Sequence, residues 1–235
     1  MRPPITPTLE KDFLRRGFSR REWGRLTVML AGAATLPFYN EAALAQLSAL
    51  GKLPVGGVKI NANENPLGPC PEALDAMLGA IRKGGRYQYE EADNFAAAFA
   101  AVEGLPRECV LPFAGSSDPL HRVILAFTSP SRSLVLADPT YEAGERAAQF
   151  IGAKVVKVPL TRHYAHDAAA MARADPNAGV FYVCNPNNPT GTLTPRPQIE
   201  LLLAHKPPGA VVLLDEAYIH FSDAPPCLDL AVARK

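Results

Sequence analysis

Four loops of this chain gather residue types that can do chemistry, and each follows an apolar run. In Ala114-Gly115-Ser116-Ser117-Asp118-Pro119 the glycine lets the backbone approach a ligand closely. The two hydroxyls and the free N–H groups of a helix start would make an anion site. Proline suits a first helical turn, where its missing N–H costs nothing, and a serine or aspartate helix cap explains the same residues. Asp138-Pro139-Thr140-Tyr141 puts a tyrosine at a helix head, where it either stacks on a flat ligand or sits on a rim. Cys184-Asn185-Pro186-Asn187-Asn188-Pro189-Thr190-Gly191 holds three asparagines and two prolines, more than a rigid turn requires. Prolines that fix the backbone hold an asparagine amide in one orientation, as hydrogen bonding to a single ring substituent demands. In Asp215-Glu216-Ala217-Tyr218 an aspartate ends an apolar strand, which is costly unless it is paired. A carboxylate opposite a protonated pyridine nitrogen is such a pair; an aspartate capping the next segment is the plainer alternative.

These loops must be carried by regular elements. Short aliphatic runs predict strands over Cys109–Phe113, Ser133–Ala137, Lys154–Val158, Gly179–Val183 and Ala210–Leu214. Helical spacing between them predicts Pro119–Phe127, Tyr141–Ile151, Asp167–Ala174 and Pro195–His205, with Pro71–Lys83 and Asp93–Glu103 ahead of the first strand. Alternating strands and helices imply an α/β fold with a largely parallel sheet between helices. In such sheets ligands sit beyond the carboxyl ends of the strands, where these loops fall.

Composition narrows the function classes. Hydrophobic residues at 48% and charged residues at 20% describe a soluble globular chain able to bury a core. With 24 Lys and Arg against 23 Asp and Glu, no charge excess directs it to nucleic acid or an anionic membrane. Cys70, Cys109, Cys184 and Cys227 lie far apart, without a CxxC pair, and read as mostly buried free thiols rather than a zinc site or disulfide framework.

The N-terminus has its own pattern. Arg20-Arg21 precedes an apolar run from Leu26 to Phe38, too short for a spanning helix, and Ala43-Leu44-Ala45 follows as a small-x-small site. Together these look like a twin-arginine export signal over residues 1–45, with the mature chain starting near Gln46 in a periplasmic or external compartment; a retained amphipathic helix is the alternative.

The ordered set Asn63-Glu64-Asn65-Pro66-Leu67-Gly68, Arg86-Tyr87, Gly115-Ser116-Ser117-Asp118, Pro139-Thr140-Tyr141, Asn185 to Gly191 and Asp215-Glu216-Ala217-Tyr218 resembles the fold-type I, pyridoxal-phosphate-dependent aminotransferases of class I/II, nearest the histidinol-phosphate branch. The resemblance runs from about Lys59 to the C-terminus. It implies that Ser116 and Ser117 hold the cofactor phosphate and that Tyr141 stacks on its ring. Asn188 and Tyr218 would hydrogen-bond the ring hydroxyl, and Asp215 would pair with the pyridine nitrogen. Asp215 and Tyr218 are thereby the catalytic candidates. Tyr87 would reach the phosphate in a neighbouring subunit of a homodimer, and Asn63 and Asn65 would belong to a segment that closes over substrate. The implied domains are an arm over residues 46–85 and a cofactor-binding large domain over 86–235.

Two departures stand out. Gly115-Ser116-Ser117-Asp118 replaces the more usual Gly-Ala-Asp-Glu, and hydroxyls keep the phosphate donors. The family's Schiff-base lysine, in a Ser-Lys motif beyond Asp-Glu-Ala-Tyr, has no counterpart here: Lys235 follows Ala-Arg. The chain is therefore expected to be the N-terminal half to two-thirds of such a protein, inactive by itself. The implied reaction moves an amino group between a histidinol-phosphate-like amino acid or amino-alcohol phosphate and a 2-oxo acid. A decarboxylase or other lyase on the same scaffold, and a remnant that only binds the cofactor, are the alternatives.

Overall fold

A computed structural model describes residues 7–22, 24, 56–58, 60 and 62–233. The apolar run 26–38, the 43–45 site, the start near Gln46 and Lys235 lie outside the described residues. The chain divides into two compact units, Met1–Glu41 with Phe113–Lys235, and Ala42–Pro112.

The larger unit is built on four parallel strands, β1 (Ser133–Asp138), β2 (Val155–Pro159), β3 (Ala178–Cys184) and β4 (Val211–Asp215), in the order β2-β1-β3-β4. Its helices are α1 (Pro7–Arg15), α4 (Ser117–Phe127), α5 (Ala143–Ile151), α6 (Ala168–Ala174), α7 (Arg196–His205) and the short α8 (Leu228–Val232). A strand turns successive side chains to opposite faces, so a sheet covered on both sides reads as an unbroken apolar run. Val180 and Tyr182 of β3 pack with Leu134 and Leu136 of β1 against Ile124 of α4 and Ala147 of α5. Phe181 and Val183 pack with Val135 on the other face against Met171 of α6 and Leu202 of α7. The result is an α/β fold of three layers.

The smaller unit holds α2 (Pro71–Ile81), α3 (Tyr89–Glu103) and a 3₁₀ turn at Arg107–Cys109. Gly104 adopts φ +66° to end α3, and its N–H bonds Ala100 O. Arg107 pairs with Asp93 at 2.7 Å. In this unit α2 buries no residue and α3 buries only Ala96 and Ala100.

Two expectations need correction. Residues 109–113 form no strand: Cys109 closes the 3₁₀ turn, and Val110 is extended at φ −116°, ψ 121° without joining the sheet. Aliphatic residues favour extended backbone, but a strand exists only where a neighbour pairs with it, and none does among the described residues. The thiols are not mostly buried either, since Cys70 and Cys109 are exposed while Cys184 and Cys227 are buried.

Candidate functional site

Parallel strands bring all their carboxyl ends to one edge. The register pairs Asp138 with Pro159 and Cys184 with Asp215, so the loops at 139–141, 185–191 and 216–218 leave the same edge. α4 leads into β1 and packs against β3 and β4. Its chain direction therefore sets its first turn toward that edge.

Asp215 is the last residue of β4, and Val211 and Leu213 before it pack toward the face that α4 covers. Period-two alternation turns Asp215 to that same face. Tyr182 Oη donates to Asp215 Oδ2 at 2.8 Å, and the Ala217 N–H donates to Oδ1 at 3.1 Å. The carboxylate is thus gripped at both oxygens and oriented. Burial first, then the neighbouring Cys184 and Asp215, push the Tyr182 hydroxyl far above its ordinary value, so it serves as a donor throughout the working pH range. Burial, with the Asp215 charge second, pushes the Cys184 thiol up to about 11, and its Sγ donates to Pro186 O at 3.4 Å. Cys184 is a neutral packing group, not a nucleophile.

The asparagine-proline loop is tied from inside. Asn187, 2% exposed, donates from Nδ2 to Pro139 O at 3.1 Å and to Thr190 Oγ1 at 2.8 Å, and accepts from Thr140 Oγ1 at 2.8 Å. It joins the 138–141 loop to the 185–191 loop as one body. Asn185 accepts from the Thr194 N–H at 2.7 Å and donates to Thr194 O at 3.2 Å, while its own N–H bonds Asp215 O at 2.8 Å. The Asp138–Pro139, Asn185–Pro186 and Asn188–Pro189 bonds are cis. Asn188, half-buried, makes no side-chain hydrogen bond among the described residues. Its amide is therefore available on a braced loop.

At the head of α4, Gly115 takes φ +94°, a conformation that excludes ordinary side chains. Ser116 occupies the cap position but makes no side-chain cap bond, and Asp118 is engaged by Arg122 at 2.8 Å. The Ser116 side chain therefore does not cap α4, which was the simpler explanation of this loop. Ser117 is buried, Tyr141 is half-buried against the core face that α4 covers, and Tyr218 lies 6.5 Å from the Phe221 ring.

Of the predicted site residues, Ser116, Ser117, Tyr141, Asn188, Asp215 and Tyr218 belong to the larger unit and its strand-end edge. Asn63, Asn65 and Tyr87 belong to the smaller unit. There Asn65 closes its own turn, accepting from the Leu67 N–H and donating to Gly68 O at 3.0 Å each; Asn63 has φ +50°, and Tyr87 stacks on Tyr89 at 5.3 Å. Sequence reasoning missed Tyr182, Asn187 and Thr140 as organisers. A tyrosine at alternate spacing in an otherwise aliphatic strand was the available signal for Tyr182, since a buried phenol needs a partner. No group of three or more His, Cys, Asp or Glu suited to a metal ion occurs among the described residues.

The pattern of the family Aminotransferase class I and II matches residues 55–233. A histidinol-phosphate aminotransferase from Moorella thermoacetica is 38% identical over 168 residues, covering 71% of this chain and 43% of that protein. A crystal structure of a candidate histidinol-phosphate aminotransferase from Erwinia carotovora atroseptica superposes with TM-score 0.67 at 36% identity, covering 73% of this chain and 51% of that one. L-threonine-O-3-phosphate decarboxylase from Porphyromonas gingivalis superposes with TM-score 0.52 at 25% identity, over 64% of this chain and 45% of its own. The chain spans about half or less of the length of these relatives.

Proposed function

The chain belongs to the class I and II aminotransferase family, and on that premise we propose that its strand-end edge is the pyridoxal-phosphate site of an aminotransferase acting on a histidinol-phosphate-like amino donor and a 2-oxo acid. The observation that carries this reading is Asp215, held at both oxygens at the end of β4, on the face that α4 covers. A carboxylate so placed suits a protonated ring nitrogen. The donor set around it fits the rest of the cofactor. Hydroxyls and the helix start at the head of α4 suit a phosphate dianion, a half-buried amide at Asn188 and the Tyr218 hydroxyl suit a ring hydroxyl, and Tyr141 offers a flat face.

When bound, pyridoxal phosphate supplies an electron-withdrawing ring that stabilises negative charge at the substrate α-carbon. The protein keeps that ring effective. Asp215 would favour the protonated ring nitrogen, and Tyr182 holds the Asp215 carboxylate in one orientation. Asn187 fixes the loop carrying Asn188, so that amide would be presented to the ring hydroxyl in one orientation. The resemblance further supports a homodimer in which Tyr87 serves a neighbouring site, and export through the twin-arginine route. The relatives named histidinol-phosphate aminotransferase favour transamination over decarboxylation.

The test is a pyridoxal-phosphate titration of the complete protein, lysine-bearing portion included, with transamination assayed between histidinol phosphate and 2-oxoglutarate. Ser117→Ala should weaken cofactor binding about tenfold, the worth of a hydrogen bond to a charged group. Asp215→Asn should leave cofactor affinity within a few-fold yet lower kcat about a hundredfold, as loss of one preorganised electrostatic contact does. Tyr182→Phe should follow Asp215→Asn in direction but cost less, about tenfold, because it removes only the orienting bond. Equal turnover for Asp215→Asn and wild type would sink the pairing with the ring nitrogen. Release of carbon dioxide from an amino-acid phosphate such as threonine phosphate, without amino transfer, would move the protein to the decarboxylase reading.

A further inference from the structure

Residues 7–22 supply none of the site side chains, yet part of this segment is docked on the sheet unit. α1 ends in a left-handed turn: Gly17 has φ +89° and the Phe18 N–H reaches back to Phe13 O at 3.2 Å. Beyond it the Arg16 guanidinium donates through Nη2 to Leu125 O at 3.2 Å, Ala126 O at 3.0 Å and Thr128 O at 3.1 Å. These carbonyls lie at the C-terminal end of α4, where orphan acceptors and the helix dipole both favour a cation. The same guanidinium lies 5.8 Å from the Phe13 ring and 5.7 Å from the Phe18 ring. Phe18 is 2% exposed. Ser131 Oγ donates to Arg16 O at 2.7 Å, and a β-carbon on Gly17 would meet that same Oγ at 2.7 Å, so the segment fits closely against the turn before β1. Ser19 and Glu22 then cap each other's N–H groups at 2.7 and 3.2 Å, opening a new helical turn on which Arg20 and Arg21 are exposed.

We propose that Arg16, Gly17 and Phe18 form a latch that makes the N-terminal segment part of the folded sheet unit, so that the helical turn bearing Arg20 and Arg21 is held in place only while the C-terminal end of α4 is formed. The carbonyls that Arg16 grips converge on it only when α4 has closed its last turn, and the same guanidinium lies over the buried Phe18 ring. Linkage then runs both ways: whatever loosens α4 releases the segment, and whatever pulls the segment away removes the cap of α4. The latch adds to the export reading, but it stands on contacts which that reading does not use.

Trypsin reads it directly, because the Arg16–Gly17 bond lies inside the latch. In the purified full chain that bond should be cut about tenfold or more slowly than in Phe18→Ala, as expected when cleavage requires local opening. Ser131→Ala, which leaves the core untouched, should give an intermediate rate and covers the case in which Phe18→Ala misfolds. Gly179→Ala should also speed this cut, because its new β-carbon would meet Phe127 O at 2.0 Å and displace the end of α4. A wild-type rate equal to that of Phe18→Ala, or a rate at Arg16 unchanged by Gly179→Ala, would overturn the latch. Fractionation of cells carrying Arg20→Lys with Arg21→Lys tests the export route separately. Normal export there discards the twin-arginine reading, and the trypsin result decides the latch by itself.

Discussion

At the scale of single residues, His166 shows how much a site loop depends on a buried neutral group. The ring is 2% exposed, with Nδ1 2.9 Å from Thr194 Oγ1 and Nε2 unpartnered among the described residues. The Thr194 backbone holds Asn185 at the root of the asparagine-proline loop. Burial pushes His166 down to about 4 from its ordinary 6.5. Between those values the unfolded chain carries a proton there and the folded chain does not. Stability is therefore complete above about pH 6.5, falls as pH drops through the window to about 4, and levels off below it. The loss should be on the order of 2–3 kcal/mol. Urea unfolding at pH 7 and pH 4.5 measures it, and His166→Gln should flatten this part of the profile. An equally steep profile in that variant would place the proton elsewhere. The aspartate, the serines and the asparagine-rich loop stood out in the sequence as candidates, because polar residues after apolar strands are conspicuous. Tyr182 and Asn187 were not. Their roles are partnerships across 33 and 47 residues of chain, which no local pattern records.

At the scale of elements, the sheet is tightest where β3 begins under the end of α4. A β-carbon at Gly179 would lie 2.0 Å from Phe127 O and 3.2 Å from Arg132 Cβ. Backbone cannot retreat as a side chain does, so Gly179→Ala should destabilise by about 2–3 kcal/mol or more. The urea midpoint should fall with little change in slope, whereas an unchanged midpoint would mean that α4 shifts freely. Helix and strand types were read correctly for these elements, and the boundaries moved by a few residues. α4 starts at Ser117 instead of Pro119, and α5 at Ala143 instead of Tyr141. Both shifts occur at helix starts, where cap geometry rather than periodicity sets the limit. The expected strand at 109–113 failed for a different reason. Its residues suit an extended chain, but pairing is a property of the neighbour.

At the scale of the molecule, the two units differ in how much they bury. β1 and β3 are almost wholly buried, whereas α2 leaves Leu74, Met77, Leu78 and Ile81 between 47% and 70% exposed. Opening free energy follows buried apolar contact, so the units should separate in native-state hydrogen exchange. Amides of β1 and β3 should exchange only on global unfolding, while those of α2 and α3 should exchange at least a hundredfold faster. Uniform protection would show that other contacts secure the smaller unit.

The sequence by itself determined the alternation of strands and helices, and with it an α/β fold whose chemistry lies in the loops after the strands. It could do so because hydrophobic period and turn residues are local properties. Its ordered motifs were enough to indicate the family. Only the tertiary structure decided that Asp215 is gripped by Tyr182, that Asn187 fuses two loops, and that Arg16 docks on the end of α4. Each of these is a contact between residues distant in the chain, and register and packing choose such partners only once the sheet has formed.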